Sequence, residues 1–303
     1  NVLPHAVTLA RTFKSRLTLI RVVYQEERAD QHGMINPMDW QMRKSEAEAY
    51  LQSVKGRFSE IELESSIQII EGRPAEQIIE FAKNEDVDLI ILSSHGRSGP
   101  SPWNINSTVQ KVLLRAFMPL MLIRAYHEET HELQEVAYER LFLPMDGSKR
   151  AECILPLAKS ICELQNSHVF LTHIVERPKL PRQTPLSDEV TTLTDRLQEI
   201  NINEAEKYFD NIKSQFPESN VETLIETSDE PTVTMHNIID REDIDLVLLS
   251  AHGYSGENRW PYGNIALNFI AYGTTPLIII QDLNKDEIGK TLAEQYAEQT
   301  KGH

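Results

Sequence analysis

The chain has 303 residues, with 30 Lys and Arg against 46 Asp and Glu for a formal net charge of −16; a broad cationic track along a phosphate backbone is excluded, so nucleic acid is not an expected partner. Hydrophobic residues make up 40% and charged residues 25%, which excludes disordered and collagen-like composition and provides for two domain cores. No apolar run approaches the roughly 18 residues of a membrane-spanning helix, and Asn1–Thr12 shows no basic region followed by an apolar block; cytoplasm is the expected compartment and a membrane is not an expected partner.

Taken in chain order, the elements occur twice. Val2-Leu3-Pro4 opens a helical pattern that leads to the apolar run Leu17–Val23, and the same succession returns 152 residues later as Ile154-Leu155-Pro156 leading to Val169–Val175. Gly72-Arg73-Pro74 returns as Asp229-Glu230-Pro231 at an offset of 157, with each proline suited to the first turn of a helix. At that offset, Val87-Asp88-Leu89-Ile90-Ile91-Leu92-Ser93-Ser94-His95-Gly96-Arg97-Ser98-Gly99 becomes Ile244-Asp245-Leu246-Val247-Leu248-Leu249-Ser250-Ala251-His252-Gly253-Tyr254-Ser255-Gly256, and Met118–Ile123 becomes Thr275–Ile280. Two copies of so long a period mean duplication of a domain, not a solenoid of small units.

Within each copy, short continuous apolar runs alternate with helical periodicity, the pattern of βαβ units around a mostly parallel, doubly covered sheet. In copy two this predicts strands near Leu141–Met145, Val169–Ile174, Glu222–Glu226, Leu246–Ser250 and Leu277–Gln281, and helices near Ala151–Leu164, Val190–Phe216, Pro231–Arg241 and Asn264–Tyr272. The fold class is therefore α/β, two doubly wound five-stranded parallel-sheet domains in tandem. Domain 1 is expected over residues 1–126 and domain 2 over 139–284.

The copies differ at their starts. Copy two opens with Arg140-Leu141-Phe142-Leu143-Pro144-Met145-Asp146-Gly147-Ser148, an apolar run ended by an Asp-Gly turn, whereas copy one begins inside the helix that follows. The sister copy thus leads to the expectation that about 15 residues, with a strand and an Asp turn, precede Asn1 in the natural protein. Between the copies, Tyr126–Tyr138 carries Glu128, Glu129, Glu132 and Glu135 and reads as a solvated linker. Cys153 and Cys162, nine apart on one expected helix, face opposite sides and cannot bridge each other. In the tail 285–303, Ile288, Leu292 and Tyr296 have the spacing of an amphipathic helix.

Ligands of doubly wound sheets collect at the carboxyl ends of the strands, where strand order reverses. The most specific part of the repeat is the loop at that end of the fourth strand, beginning at Ser93 in copy one and Ser250 in copy two. Gly253, Gly256 and Gly263 allow close approach of backbone amides, and the helix starting near Gly263-Asn264 aims free N–H groups and its positive dipole end at the loop, an arrangement suited to phosphate. The bland alternative is a tight turn with a helix cap. His95 and His252 read as loop-orienting residues because no nucleophile is paired with them, and Asp146 can be read as a turn residue alone. The remaining histidines lack metal-ligand spacing.

These residues resemble the universal stress protein family, whose nucleotide-binding members carry G-x2-G-x9-G-[ST] between the fourth strand and the last helix. Copy two reads Ser250-x2-Gly253-x9-Gly263-Asn264, copy one Ser93-x2-Gly96-x9-Asn106-Ser107, and neither matches in full. A bacterial variant of the loop, H-G-R-S-G-x-x-R-W-x-x-G-S, is followed more closely by His252–Gly256, Arg259, Trp260 and Gly263 than by copy one, which has Pro102 before Trp103. The resemblance implies the adenine-nucleotide α-hydrolase-like fold and an adenine nucleotide, ATP with or without Mg²⁺, as ligand. It implies Pro144, Asp146, Ile174, Ser250, Gly253, Gly256, Gly263, Asn264 and Ile265 as binding residues in domain 2. In domain 1 it implies a weaker set of Val22, Ser93, Gly96, Gly99, Asn106, Ser107 and Thr108, with no counterpart of Asp146. Pairing of the last strands, Pro119–Arg124 with Pro276–Gln281, would make the chain a pseudo-dimer, and a homodimer of chains is open.

Two functions remain. One is a stress-response regulatory module that binds ATP in at least its second domain; the other is a nucleotide-free scaffold that keeps the loops as structure. Dedicated catalysis is not indicated, since the chain has no G-x-x-x-x-G-K-[ST] loop and Arg259 is the one cation between Gly253 and Asn264. Weak ATP hydrolysis is the most enzyme activity expected.

Overall fold

A computed structural model describes residues 2–24, 37–94, 107–124, 133–177, 188–254 and 261–282. The chain divides into two compact units, Asn1–Ala137 and Tyr138–His303. The tail 285–303 lies outside the described residues.

In unit 2, β5 (Arg140–Pro144), β6 (His168–Val175), β7 (Val221–Thr227), β8 (Leu246–Ser250) and β9 (Leu277–Ile280) form a parallel sheet in the order β9-β8-β5-β6-β7. A strand covered on both faces needs apolar residues in succession, and Leu141, Phe142 and Leu143 of β5 are each 0% exposed. Each such side chain contributes about 1.5–3 kcal/mol relative to exposure. Connecting helices are α5 (Leu155–Gln165), α6 (Asp188–Lys213), α7 (Pro231–Arg241) and α8 (Asn264–Tyr272). The expected limits of α7, α8 and β8 match these spans. Two helices differ: Ala151–Ile154 winds as a 3-10 turn ahead of α5, and α6 stops before Phe216, whose N–H bonds the Lys213 carbonyl in a tight turn ahead of Pro217. Both cysteines are free, with Cys162 buried on α5 and Cys153 half-buried in the 3-10 turn.

In unit 1 the described elements are α1 (Val2–Phe13), β1 (Leu17–Val23), α2 (Pro37–Glu60), β2 (Ser65–Glu71), α3 (Pro74–Asn84), β3 (Ile90–Ser93), α4 (Ser107–Leu113) and β4 (Leu120–Ile123). Val7, Val54 and Phe58 centre its core, against Leu17 and Leu19. Its strands form two separate parallel pairs, β1 with β2 and β3 with β4. Unit 1 thus has four strands among the described residues.

The segment read as a solvated linker is packed over its described part. Leu133 lies against the Val7–Phe58 cluster, and Thr8 Oγ1 exchanges hydrogen bonds of 2.8 and 2.9 Å with the N–H and carbonyl of Val136. Arg11 pairs with Glu135. Tyr138, 0% exposed, belongs to unit 2, where its N–H donates to Gln165 Oε1 at 2.9 Å. Apolar Leu133, Val136 and Tyr138, interleaved with the acidic residues, account for the difference.

Asp245 fixes the start of β5. One oxygen accepts the N–H groups of Glu139 at 2.7 Å and Arg140 at 3.0 Å. Burial pushes its carboxyl up from 3.8 to about 6, outweighing those two N–H bonds, which favour the charged form. The native carboxyl therefore holds a proton more readily than the unfolded one, so this group lowers stability as pH rises from about 4 to about 6. Urea unfolding across that range should show the loss, and Asp245→Asn should flatten that part of the profile relative to the parent chain.

Candidate functional site

Strand order in unit 2 reverses between β5 and β8: from β5 the chain builds outward through β6 and β7, then returns on the other side to lay down β8 and β9. Backbone running off the carboxyl ends of neighbouring strands leaves a crevice there. Pro144 ends β5, half-buried, and Ile174 lies buried near the end of β6. Their spacing is held by the Met145 N–H donating to the Thr172 carbonyl at 2.8 Å and by His173 Nδ1, 2.7 Å from the Met145 carbonyl oxygen.

Asp146 stands at the centre. Gly147 takes a φ of +78°, open to glycine at little cost, and turns the chain so that Ser148 N–H donates to Asp146 Oδ1 at 3.0 Å. The other carboxylate oxygen accepts the Tyr254 N–H from the loop after β8. Gly253 passes so close that a Cβ there would overlap Asp146 Oδ2 and stand 3.1 Å from its Cγ. Any side chain here would have to displace that carboxylate.

The other predicted residues divide. Ser250 Oγ donates to the His252 carbonyl at 2.6 Å, so this hydroxyl braces the loop. Gly263 is the N-cap of α8 in extended backbone, and a Cβ would meet only ordinary contacts, at 3.5 Å from the Ala251 carbonyl oxygen. Its N–H donates to that same oxygen at 2.8 Å, so this amide closes the loop and is turned away from the crevice. Asn264 is the first helical residue; it and Ile265 are exposed, at a helix start whose leading N–H groups have no intrahelical acceptor. Gly256, Arg259 and Trp260 lie outside the described residues.

The sequence reading missed Asp282, the second residue past β9, with its side chain 1% exposed. Asp282 Oδ1 accepts the His252 N–H at 3.0 Å and faces His252 Nδ1 at 2.7 Å. Arg150 Nε lies 3.6 Å from Oδ2. Asp282 therefore ties the loop after β8 to the turn after β5 and keeps His252 as an orienting group. Burial, with a smaller contribution from Asp282, pushes the nearby Cys153 thiol up to about 12, so it is no nucleophile. No group of three metal-ligating side chains occurs among the described residues.

In unit 1, Val22 lies near the end of β1 and Ser93 at the end of β3, both half-buried, while Ser107 and Thr108 begin the seven-residue α4. Gly96, Gly99, Asn106, His95 and Trp103 lie outside the described residues. The position matching Asp282 in the repeat is Ala125.

The family model for universal stress proteins matches residues 1–124 and again residues 137–281. The chain belongs to the universal stress protein family. A universal stress protein of Methanocaldococcus jannaschii is 26% identical over 129 residues, covering 41% of this chain and 74% of that relative. Among solved structures, a universal stress protein from Archaeoglobus fulgidus covers 93% of this chain and 93% of its own at a TM-score of 0.64 and 15% identity. A functionally unknown protein from Pseudomonas aeruginosa covers 98% of this chain and 92% of its own at 0.66 and 14%. At such identities these structures share the fold with this universal stress protein, and the likeness extends no further.

The Asp146–Gly253 contact yields a coupling test. Gly253→Ala should destabilise unit 2 by about 1–3 kcal/mol in denaturant unfolding, the usual cost of forcing atoms into a filled space. In an Asp146→Ala background the same change should cost much less, because the clashing oxygen is gone.

Proposed function

We propose that this universal stress protein is a cytoplasmic stress-response regulator whose second unit binds an adenine nucleotide, ATP, across the carboxyl ends of β5, β6 and β8. The observation that carries the reading is the convergence of the Asp146 carboxylate, the close-passing Gly253 backbone and the start of α8 at the strand-order reversal. Pro144 and Ile174 offer apolar walls for a base, and Asp146 offers an acceptor for ribose hydroxyls. The leading N–H groups of α8 offer donors and a positive dipole end to phosphates, which a chain of net charge −16 needs in place of lysines. Asp146 would then exchange the Tyr254 N–H for the nucleotide.

One observation favours a second reading, a nucleotide-free scaffold: Asp146 and Ser250 already find partners within the loop, so the site is satisfied without a ligand. Unit 1 is the poorer binding candidate, with a seven-residue α4 and no described counterpart of Asp146. We further propose that the last strands β4 and β9 cover each other as antiparallel edges within the chain. Each is the outer strand in its own unit, paired there with β3 and with β8.

Heat-denatured protein should release an adenine nucleotide identifiable by mass spectrometry, or the purified chain should melt higher with millimolar ATP, by several degrees at concentrations far above Kd. Asp146→Ala should remove the response. Neither release nor a melting shift would leave the scaffold reading standing.

A further inference from the structure

Helix α6 is longer than the part of the sheet it covers. It packs on β6 and β7, its buried residues Ala205, Phe209 and Ile212 all lie in its second half, and Gln198 Nε2 donates to Oγ1 of Thr227, the last residue of β7, at 3.2 Å. The turns from Asp188 to Leu197 therefore rise past the carboxyl ends of the strands. There Leu193, Leu197 and Ile200 recur at i, i+4 and i+7 and are 62%, 47% and 48% exposed. That spacing makes a single stripe of the kind that packs helix on helix. Tyr208 fixes the side it is on: its hydroxyl donates to Glu152 Oε1 in the 3-10 turn after β5 at 3.3 Å. Leu197 stands eleven residues earlier, three turns along the same line, so the stripe is turned toward the carboxyl end of β5.

The same chain carries a matching apolar row. After β9 it passes the buried Asp282 and continues into the tail 285–303, where Ile288, Leu292 and Tyr296 recur at i, i+4 and i+8. A helix of that length is marginal by itself and Gly289 weakens it further, so it needs an apolar surface to form. All strands of unit 2 are parallel, which puts Asp282 at the same end of the sheet as the start of α6. In the order β9-β8-β5-β6, three strand spacings, about 14 Å, separate β9 from β6. Extended, the six residues from Asp282 to Ile288 span about 20 Å, which is enough.

We propose that the exposed stripe of α6 is the docking site of the chain's own tail. The tail helix lies antiparallel to α6, with Ile288 beside Ile200, Leu292 beside Leu197 and Tyr296 beside Leu193. The two rows agree in length, about 12 Å on the tail and about 10 Å on α6 at the helical rise per residue. Residues 283–287 pass over the carboxyl ends of β8 and β5, beside the candidate crevice. The tether holds the tail at an effective concentration in the millimolar range, which favours it over a separate molecule with a similar face.

Trypsin cleavage after Lys290 in the folded 303-residue chain reads the docked state, because cleavage needs locally unfolded backbone. Leu197→Asp should raise the rate at Lys290 on the order of tenfold, Leu292→Asp should do the same, and Glu199→Ala, on the opposite side of α6, should leave it unchanged. A cysteine pair locates the contact: Leu197→Cys with Leu292→Cys should oxidise to a disulfide within one chain several-fold faster than Glu199→Cys with Leu292→Cys. Cleavage at Lys290 that is indifferent to Leu197→Asp would overturn the proposal, as would equal oxidation of the two pairs. A disulfide formed only between two chains would give the stripe to a second copy. Faster cleavage after Arg182 and not after Lys290 in Leu197→Asp would give it to residues 178–187, and either result also overturns the proposal.

Discussion

The placement of β5 is the constraint on which the rest of unit 2 depends. Leu141, Phe142 and Leu143 are apolar in succession because both faces of the strand are covered, and both edges are bonded, to β6 and to β8. Asp245 holds one end by two backbone N–H groups. At the other end the chain leaves the sheet at Met145 and turns at Gly147, which fixes where Asp146 stands. The candidate crevice is the continuation of a fully bonded strand, and its position follows from the packing of that strand.

Around the crevice, two carboxylates order the loops. Asp146 draws in the loop after β8 through Tyr254 and, where it stands, leaves no room for a Cβ at Gly253. Asp282, buried beside His252 and facing Arg150, ties the same loop to the end of the sheet and to the turn after β5. Negative charge at the mouth of an anion site opposes binding unless donors outnumber it, so in the proposed nucleotide site the helix start at Asn264 would have to carry the attraction. A nucleotide that draws Asp146 away from Tyr254 would loosen one of these two ties and leave the other intact. That is a physical route from ligand to loop conformation, and loop conformation is what a partner could read.

Much of this was legible in the sequence, for identifiable reasons. The strand Leu246–Ser250 and the helices Pro231–Arg241 and Asn264–Tyr272 could be read to the residue because turn residues, a proline or a glycine close each of them. The turn at Phe216 was not legible, since a buried aromatic one turn past the end of α6 continues the helical pattern without continuing the helix. The packed linker was hidden by its acidic composition. Asp282 was hidden by distance: it lies 30 residues from His252, and nothing local marks a carboxylate after a strand as the partner of a loop histidine. The roles of Gly253 and Gly263 also separate only in three dimensions, one required by a neighbouring oxygen and the other by nothing nearby.

A crystal structure of the chain grown with ATP and magnesium tests the central claim most directly. The account predicts base and ribose at the ends of β5 and β6, with Asp146 on the ribose and the Tyr254 N–H released from it, and phosphates at Gly253 and the start of α8. Crystals grown at saturating nucleotide in which Asp146 still holds Tyr254 and the crevice contains no nucleotide would contradict it.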